Sequence, residues 1–275
     1  MRVLTLENVT FAYDAVDVLR GVSFEVGPGE SVALLGPNGV GKTTLTKLIV
    51  GLRQPTGGHV VVGDESLRLP PSHVRHPEDL ARQVGYVFQH PDQQLFAKTV
   101  FDEVAFGPTQ LGFPHSEVAE SVNDALNLLD LAAFKTHHPY DLPLPMRKLV
   151  TIAAAIAQRP SLLILDEPVQ GMSRRHVDLV TSVVLGLVDQ GATAMVVTHD
   201  LDFAVEACER AVVLQDGRVA FDGGMPELAT AERQLLRWGL VPPMAAQISA
   251  ALSLHGSPIR LSDVARRIAE RVGLA

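Results

Sequence analysis

The chain has 275 residues, 47% apolar and 20% charged, enough for a substantial core in one large domain or two modest ones. With 31 acidic against 23 basic residues its net charge is −8, which gives no electrostatic footprint for nucleic acid. The single cysteine, Cys208, excludes an intrachain disulfide and a cysteine-based metal cluster.

At the N-terminus Glu7 comes too early for a signal peptide, and the longest apolar runs (149–157 and 162–165) fall short of the ~20 residues that cross a bilayer. The expectation is a cytoplasmic chain that must dock onto a membrane if it serves one. Residues 3–6, 9–13, 18–26 and 31–35 read as short strands, with Gly27-Pro28-Gly29 turning between the last two. Residues 43–52 read as a helix, Gly57-Gly58 opens another strand pair through 59–62, and 70–79, rich in Pro and His, reads as a surface loop. From 99 to 158 the pattern is helical. Within 116–131, Val118, Val122, Ala125, Leu126 and Leu129 share one face behind a Ser116 cap.

Strand patterns return at 162–165, 194–198 and 211–214, the last leading into an Asp216-Gly217 hairpin turn. Cys208, in a helix-like run over 201–210, reads as a small buried hydrophobe. Residues 226–275 read as a mostly helical extension that ends in an amphipathic helix, with Arg266, Arg267 and Arg271 beside Val264, Ile268 and Val272. This alternation predicts an α/β fold over 1–225. It has a mostly parallel core sheet, an N-terminal antiparallel β portion and a helical subdomain at about 90–160.

The strongest chemical signal is Gly36-Pro37-Asn38-Gly39-Val40-Gly41-Lys42-Thr43-Thr44, which fits G-x-x-x-x-G-K-[ST] between a predicted strand and a predicted helix. Glycines there let backbone N–H groups converge on phosphate oxygens, and the helix start adds its dipole. Lys42 is suited to the β and γ phosphates, and Thr43 to Mg²⁺. The chain therefore reads as a P-loop nucleoside triphosphatase. The run 162–165 ends in Asp166-Glu167, where open α/β sheets bind ligands. Asp166 suits Mg²⁺, through water, and Glu167 can take a proton from an attacking water. Two solvated acids ending a strand are the alternative. His199 follows the apolar run 194–198, where a side chain can meet the γ-phosphate. His137-His138, His73 and His76 lack matching carboxylates or cysteines and read as surface residues.

These residues, in this order, resemble the ABC ATPase family over nearly the whole chain. The resemblance implies ATP and Mg²⁺ as cofactors. Tyr13 would lie against adenine, and Gln89 would link the metal site to membrane subunits. Asp166-Glu167 matches the second nucleotide motif, and His199 the switch histidine. A narrower likeness covers His90-Pro91-Asp92-Gln93-Gln94-Leu95-Phe96 and Thr99 to Pro108. That region is similar to the ATPases of energy-coupling-factor importers, including the cobalt and nickel importers. It implies a peripheral place on the cytoplasmic face of the membrane. The partners would be an integral coupling subunit and a substrate-binding membrane subunit, and the cargo a vitamin or transition-metal ion. Packing of Val100, Val104 and Phe106 into the chain's own core is the plainer reading of the same segment.

The sequence departs from the family at its Leu-Ser-Gly-Gly-Gln signature. The family spacing back from Asp166 lands on Leu142-Pro143-Leu144-Pro145-Met146, with Val150, Ile152 and Ala153 still in register. The hydroxyl, the glycines and the amide side chain are lost, and neither proline can donate an N–H. Ser173 also stands where the family has Asp. The expectation is a heterodimer with a second ABC ATPase whose signature is intact, a homodimer remaining open. Rival readings are a soluble non-transport ABC ATPase, a non-catalytic ATP-binding subunit, and a small-molecule kinase on the same loop. Long coiled-coil insertions or two cassettes would mark the first, and neither occurs here. The retained Glu167 and His199 oppose the second, and the third has no evident acceptor pocket.

Overall fold

The computed structural model describes residues 2–63, 77–254, 256 and 258–272. The N-terminal part contains β1 (Leu4–Tyr13), β2 (Val16–Val26), β3 (Ser31–Leu35), α1 (Lys42–Ile49) and β4 (Gly57–Val62). Strands β2, β1 and β4 form an antiparallel sheet in that order. The two strands expected at 3–6 and 9–13 are one strand, β1. Its pairing with β2 slips between Leu6 and Val9, where Asn8 takes φ 49° and its amide donates to Ser23 Oγ at 2.8 Å. The gap in the apolar pattern is a β-bulge.

A second sheet draws on β3 and on strands further along the chain. The order continues through α2 (Pro77–Gln83), β5 (Val84–Val87), α3 (Val100–Gln110), α4 (His115–Leu128), α5 (Leu144–Ile156) and β6 (Leu162–Asp166). Then come α6 (Arg174–Asp189), β7 (Thr193–Val197), α7 (Leu201–Ala207), β8 (Arg210–Gln215) and β9 (Arg218–Gly224). The sheet order is β5-β6-β7-β3-β8-β9, parallel except for β9. Every residue of β3, β6 and β7 is buried, as continuous apolar runs covered on both faces must be.

Strand alternation sorts these runs into two cores. Val32, Leu34, Ile164, Met195 and Val197 join Leu45 and Leu48 of α1 and the antiparallel sheet. Ala33, Leu35, Leu163, Leu165 and Val196 join the apolar faces of α3 to α7. Cys208 closes α7 and is buried, which pushes its thiol up to about 12.

Three sequence expectations need correction. No Ser116 cap forms: α4 begins at His115, two residues before such a cap would start it. The N-cap position belongs to Pro114, whose ring fixes the extended entry. Phe106 does not pack inward but stays 47% exposed. Val100, Val104 and Pro108, spaced four apart, take the buried face of α3 and leave position 106 on the other side. Of the loop expected at 70–79, residues 77–79 instead open α2, while 70–76, with His73 and His76, lie outside the described residues.

The remaining helices are α8 (Met225–Thr230), α9 (Glu232–Arg237), α10 (Met244–Ala251) and α11 (Leu261–Val272). Val264 and Ile268 of α11 pack with Ala245, Ile248 and Leu254, while Val272 stays exposed. The extension is tied back to α7. Arg260 Nε donates to the Val205 carbonyl at 3.1 Å, and Asp202 Oδ1 accepts from the Met244 amide at 2.7 Å. No described helix is long and apolar enough to cross a membrane.

Candidate functional site

The glycine-rich loop leaves the C-terminal end of β3 and enters α1. Gly36 takes φ 147°, and a Cβ there would sit 2.5 Å from the Leu214 carbonyl oxygen. Gly41, at φ 108°, immediately precedes α1. Both positions need glycine for space as well as for backbone conformation. Lys42, the first residue of α1, folds its side chain back over the loop. Its Nζ donates to the carbonyls of Gly36 at 2.7 Å and Pro37 at 3.1 Å. Burial lowers its pKa, against the attraction of Glu167 and Asp166.

The carboxylates lie at the end of β6, two strands from the loop. Asp166 Oδ2 accepts from the Tyr86 hydroxyl at 3.3 Å, and the same hydroxyl lies 3.1 Å from Thr46 Oγ1 on α1. Burial raises the pKa of Asp166, while hydrogen bonds from Thr43 and Tyr86 oppose the shift. Its Oδ1 is buried without any partner. A buried, unpaired carboxylate oxygen beside a threonine hydroxyl and a phosphate loop suits a hard cation with oxygen ligands. Among the described residues no group of three His, Cys, Asp or Glu side chains could hold a metal by itself. A cation here would have to share its ligands with water and phosphate.

Glu167 takes the left-handed conformation, φ 48°, and its amide donates to the Val197 carbonyl at 2.8 Å. Its carboxylate is held on both oxygens. His199 Nδ1 lies 2.7 Å from Oε1, and Thr198 Oγ1 donates to Oε2 at 3.1 Å. The His199 side chain is 45% exposed and that of Glu167 only 7%, so the pair has one open side.

The cleft, about 460 Å³, is lined by Tyr13, Val18, Asn38, Gly39, Gly41, Lys42, Thr43, Thr44, Gln89, Asp166, Glu167, Gln170 and His199. The structure thus gathers most of the residues singled out in the sequence. Gly36, Pro37 and Val40 frame the loop without lining the cleft. Tyr13 is 40% exposed, its ring edge-on to Phe11 with the Arg53 guanidinium 5.7 Å from its centre. Gln89 reaches Gln170, Nε2 donating to Oε1 at 3.4 Å. Sequence reasoning missed Val18, Tyr86, Thr198 and Gln170. Only the closeness of Gln170 to Asp166-Glu167 and of Thr198 to His199 offered any signal.

The altered signature segment opens α5. Pro143 is the N-cap and Pro145 lies in the first turn, so two of the amides a helix start would offer are absent. Arg147 turns back instead, Nε donating to the Leu142 carbonyl at 2.8 Å and Nη2 to that of Tyr140 at 2.7 Å. Ser173, at the N-cap position of α6, has its Oγ 3.1 Å from His176 Nδ1.

A phosphate loop between β3 and α1, with an acid pair and a histidine on neighbouring parallel strands, defines a P-loop nucleotide-binding protein. Residues 19–170 match the family model described as ABC transporter. An ABC transporter ATP-binding protein of Geobacter sulfurreducens is 40% identical over 85% of this chain and 91% of its own. The energy-coupling factor transporter ATP-binding protein EcfA of Methanothermobacter thermautotrophicus is 33% identical, covering 92% and 81%. Among solved structures, cbiO1 from Clostridium perfringens, part of the ABC transporter complex cbiONQ, superposes with TM-score 0.76. It is 27% identical, over 92% of this chain and 99% of its own. The chain belongs to the ABC transporter ATP-binding family and has the fold of the ABC ATPases. Against two Methanosarcina relatives it spans only 39% and 40% of their length.

Proposed function

We propose that the chain is an ATP-hydrolysing cassette of an importer of the energy-coupling-factor type, with Glu167 as general base. The carrying observation is the carboxylate of Glu167, gripped by His199 and Thr198 at the strand ends beside the phosphate loop. Lys42 and the loop amides hold the phosphates of ATP, and Tyr13 offers its exposed face to the adenine. Glu167 accepts the proton of the attacking water, and His199 steadies the carboxylate and meets the γ-phosphate. Asp166 Oδ1, Thr43 and Gln89 would hold Mg²⁺, which neutralises charge on the phosphates.

Replacing Glu167 by Gln removes the base while keeping its shape. In the assembled transporter, single-turnover hydrolysis should fall by at least about 100-fold, with ATP still bound. Undiminished hydrolysis would overturn the assignment.

The partners are inferred from two features. Phe96 and Phe106 stand 62% and 47% exposed, edge to face at 4.8 Å, in the segment after Gln89. That pair is a place for a membrane coupling subunit to dock. Such a subunit, with a substrate-binding membrane partner, would hold the chain on the cytoplasmic face and import a vitamin or transition-metal ion. The prolines at the start of α5 support a heterodimer: a second ATPase with an intact signature clamps the ATP held here, and its own ATP faces Leu142–Met146 and turns over slowly.

A further inference from the structure

Like Lys42, Lys148 is an ammonium that feels the charge of Glu167 and Asp166, and no role assigned so far uses it. It lies on α5, two residues past the altered segment, and only 6% of it is exposed. A cation is buried at a cost unless donors find acceptors. Here Nζ donates to two backbone carbonyls, Glu167 at 3.1 Å and Gln170 at 3.0 Å. These carbonyls bracket a tight turn that starts with Glu167 in the left-handed region and ends at Gly171, φ 77°. The turn's own hydrogen bonds are few. The Gln170 amide reaches the Glu167 carbonyl at 3.5 Å, and that of Met172 reaches the Val169 carbonyl at 3.0 Å. Glu167 is therefore held from two sides, its carboxylate by His199 and Thr198 and its carbonyl by Lys148. Gln170, pinned by the same ammonium, passes the constraint to Gln89 through its side chain.

We infer that Lys148 is a positioning residue that clamps the turn 167–170 and thereby aims the Glu167 carboxylate and the Gln89–Gln170 pair. It lies nine-tenths buried and reaches the nucleotide cleft only through the turn. This assignment rests on Glu167 being the base. It also gives the altered start of α5 a second duty, since the helix that lost its phosphate-facing amides carries the ammonium that braces the chain's own base.

Two measurements on the full chain and its assembled complex test this. Lys148→Met keeps the aliphatic stem and removes the donors. In the complex it should lower kcat at least about tenfold, with the KM for ATP within about twofold. Combined with Glu167→Gln it should cause no further loss, because it acts through that residue. In the full chain alone, hydrogen exchange at the amides of 167–172 should quicken about tenfold or more, while β6 and the rest of α5 stay as they are. Should Lys148→Met fail to fold, Lys148→Gln is read the same way, since its shorter, uncharged amide replaces the ammonium that serves both carbonyls. Unchanged exchange over 167–172, or a uniform rise across the whole chain, overturns the clamp. Exchange needs no hydrolysis, so it separates failure of the clamp from failure of Glu167 as base.

Discussion

Asp166 and Glu167 are neighbours in sequence, yet the pleat and a left-handed turn send them to different tasks. Asp166 keeps a buried Oδ1 with no partner, and burial raises its pKa. A carboxyl whose folded pKa exceeds its unfolded value binds more protons in the native state, so its contribution to stability falls as pH rises from the ordinary value of 3.8 to the raised one. Above that window the ionised carboxylate is a standing penalty on the empty protein. Asp166→Asn should therefore stabilise the nucleotide-free chain by about 1 kcal/mol at neutral pH, and the gain over wild type should shrink on acidification. Thermal melts of both proteins across the acid range check this, and an unchanged difference would show that Asp166 is not penalised. Thr43 and Asp166 could be read from the chain because their motifs are local. Tyr86, which joins α1 to Asp166 through Thr46, could not, since nothing near position 86 announces a partner 80 residues away.

At the scale of elements, the start of α5 separates a helix's packing from the amides its first turn presents. Leu142 remains buried and Val150, Ile152 and Ala153 remain in the core, so the helix keeps its seat while its first turn loses amides. In the heterodimer proposed above, Pro143→Ser with Pro145→Gly should raise ATP turnover at the second ATPase's site severalfold, leaving turnover at this chain's site unchanged. Site-specific turnover, isolated by a Gln replacement of the base in either chain, is the measurement. The fold was legible wherever one periodicity ruled an element. The runs at β3, β6 and β7 announced buried parallel strands, and Asp216-Gly217 announced its hairpin. Legibility failed where a neighbour overrode a local cue. Pro114 displaced the Ser116 cap, and α3 turned Pro108 inward at the expense of Phe106.

Across the whole molecule, the exposed Phe96–Phe106 pair stands on the helical side of the parallel sheet, reached from the nucleotide cleft through Gln89. Replacing both by Ala should change stability by no more than about 0.5 kcal/mol each, as at other surface sites. The same change should weaken binding of the coupling subunit proposed above by about 2 kcal/mol or more, with ATP binding intact. Co-purification from gently solubilised membranes reads this directly, and full recovery with the double variant would move the docking surface elsewhere.

The loop before Lys42, Glu167, His199 and Gln89 all follow the C-terminal ends of four adjacent strands, β3, β6, β7 and β5. Their separations are therefore set in steps, about 4.8 Å for each strand crossed and two residues for each change of register that keeps the same face. No exchange inside these strands can slide the backbone at Glu167 gradually toward the phosphate loop. A working distance can be lost all at once, by a slip deep in the sheet, and it can be regained only by a slip of equal size. Variants that repack the buried runs of β6 or β7 should therefore divide into those that hydrolyse almost normally and those that hydrolyse hardly at all, with few between.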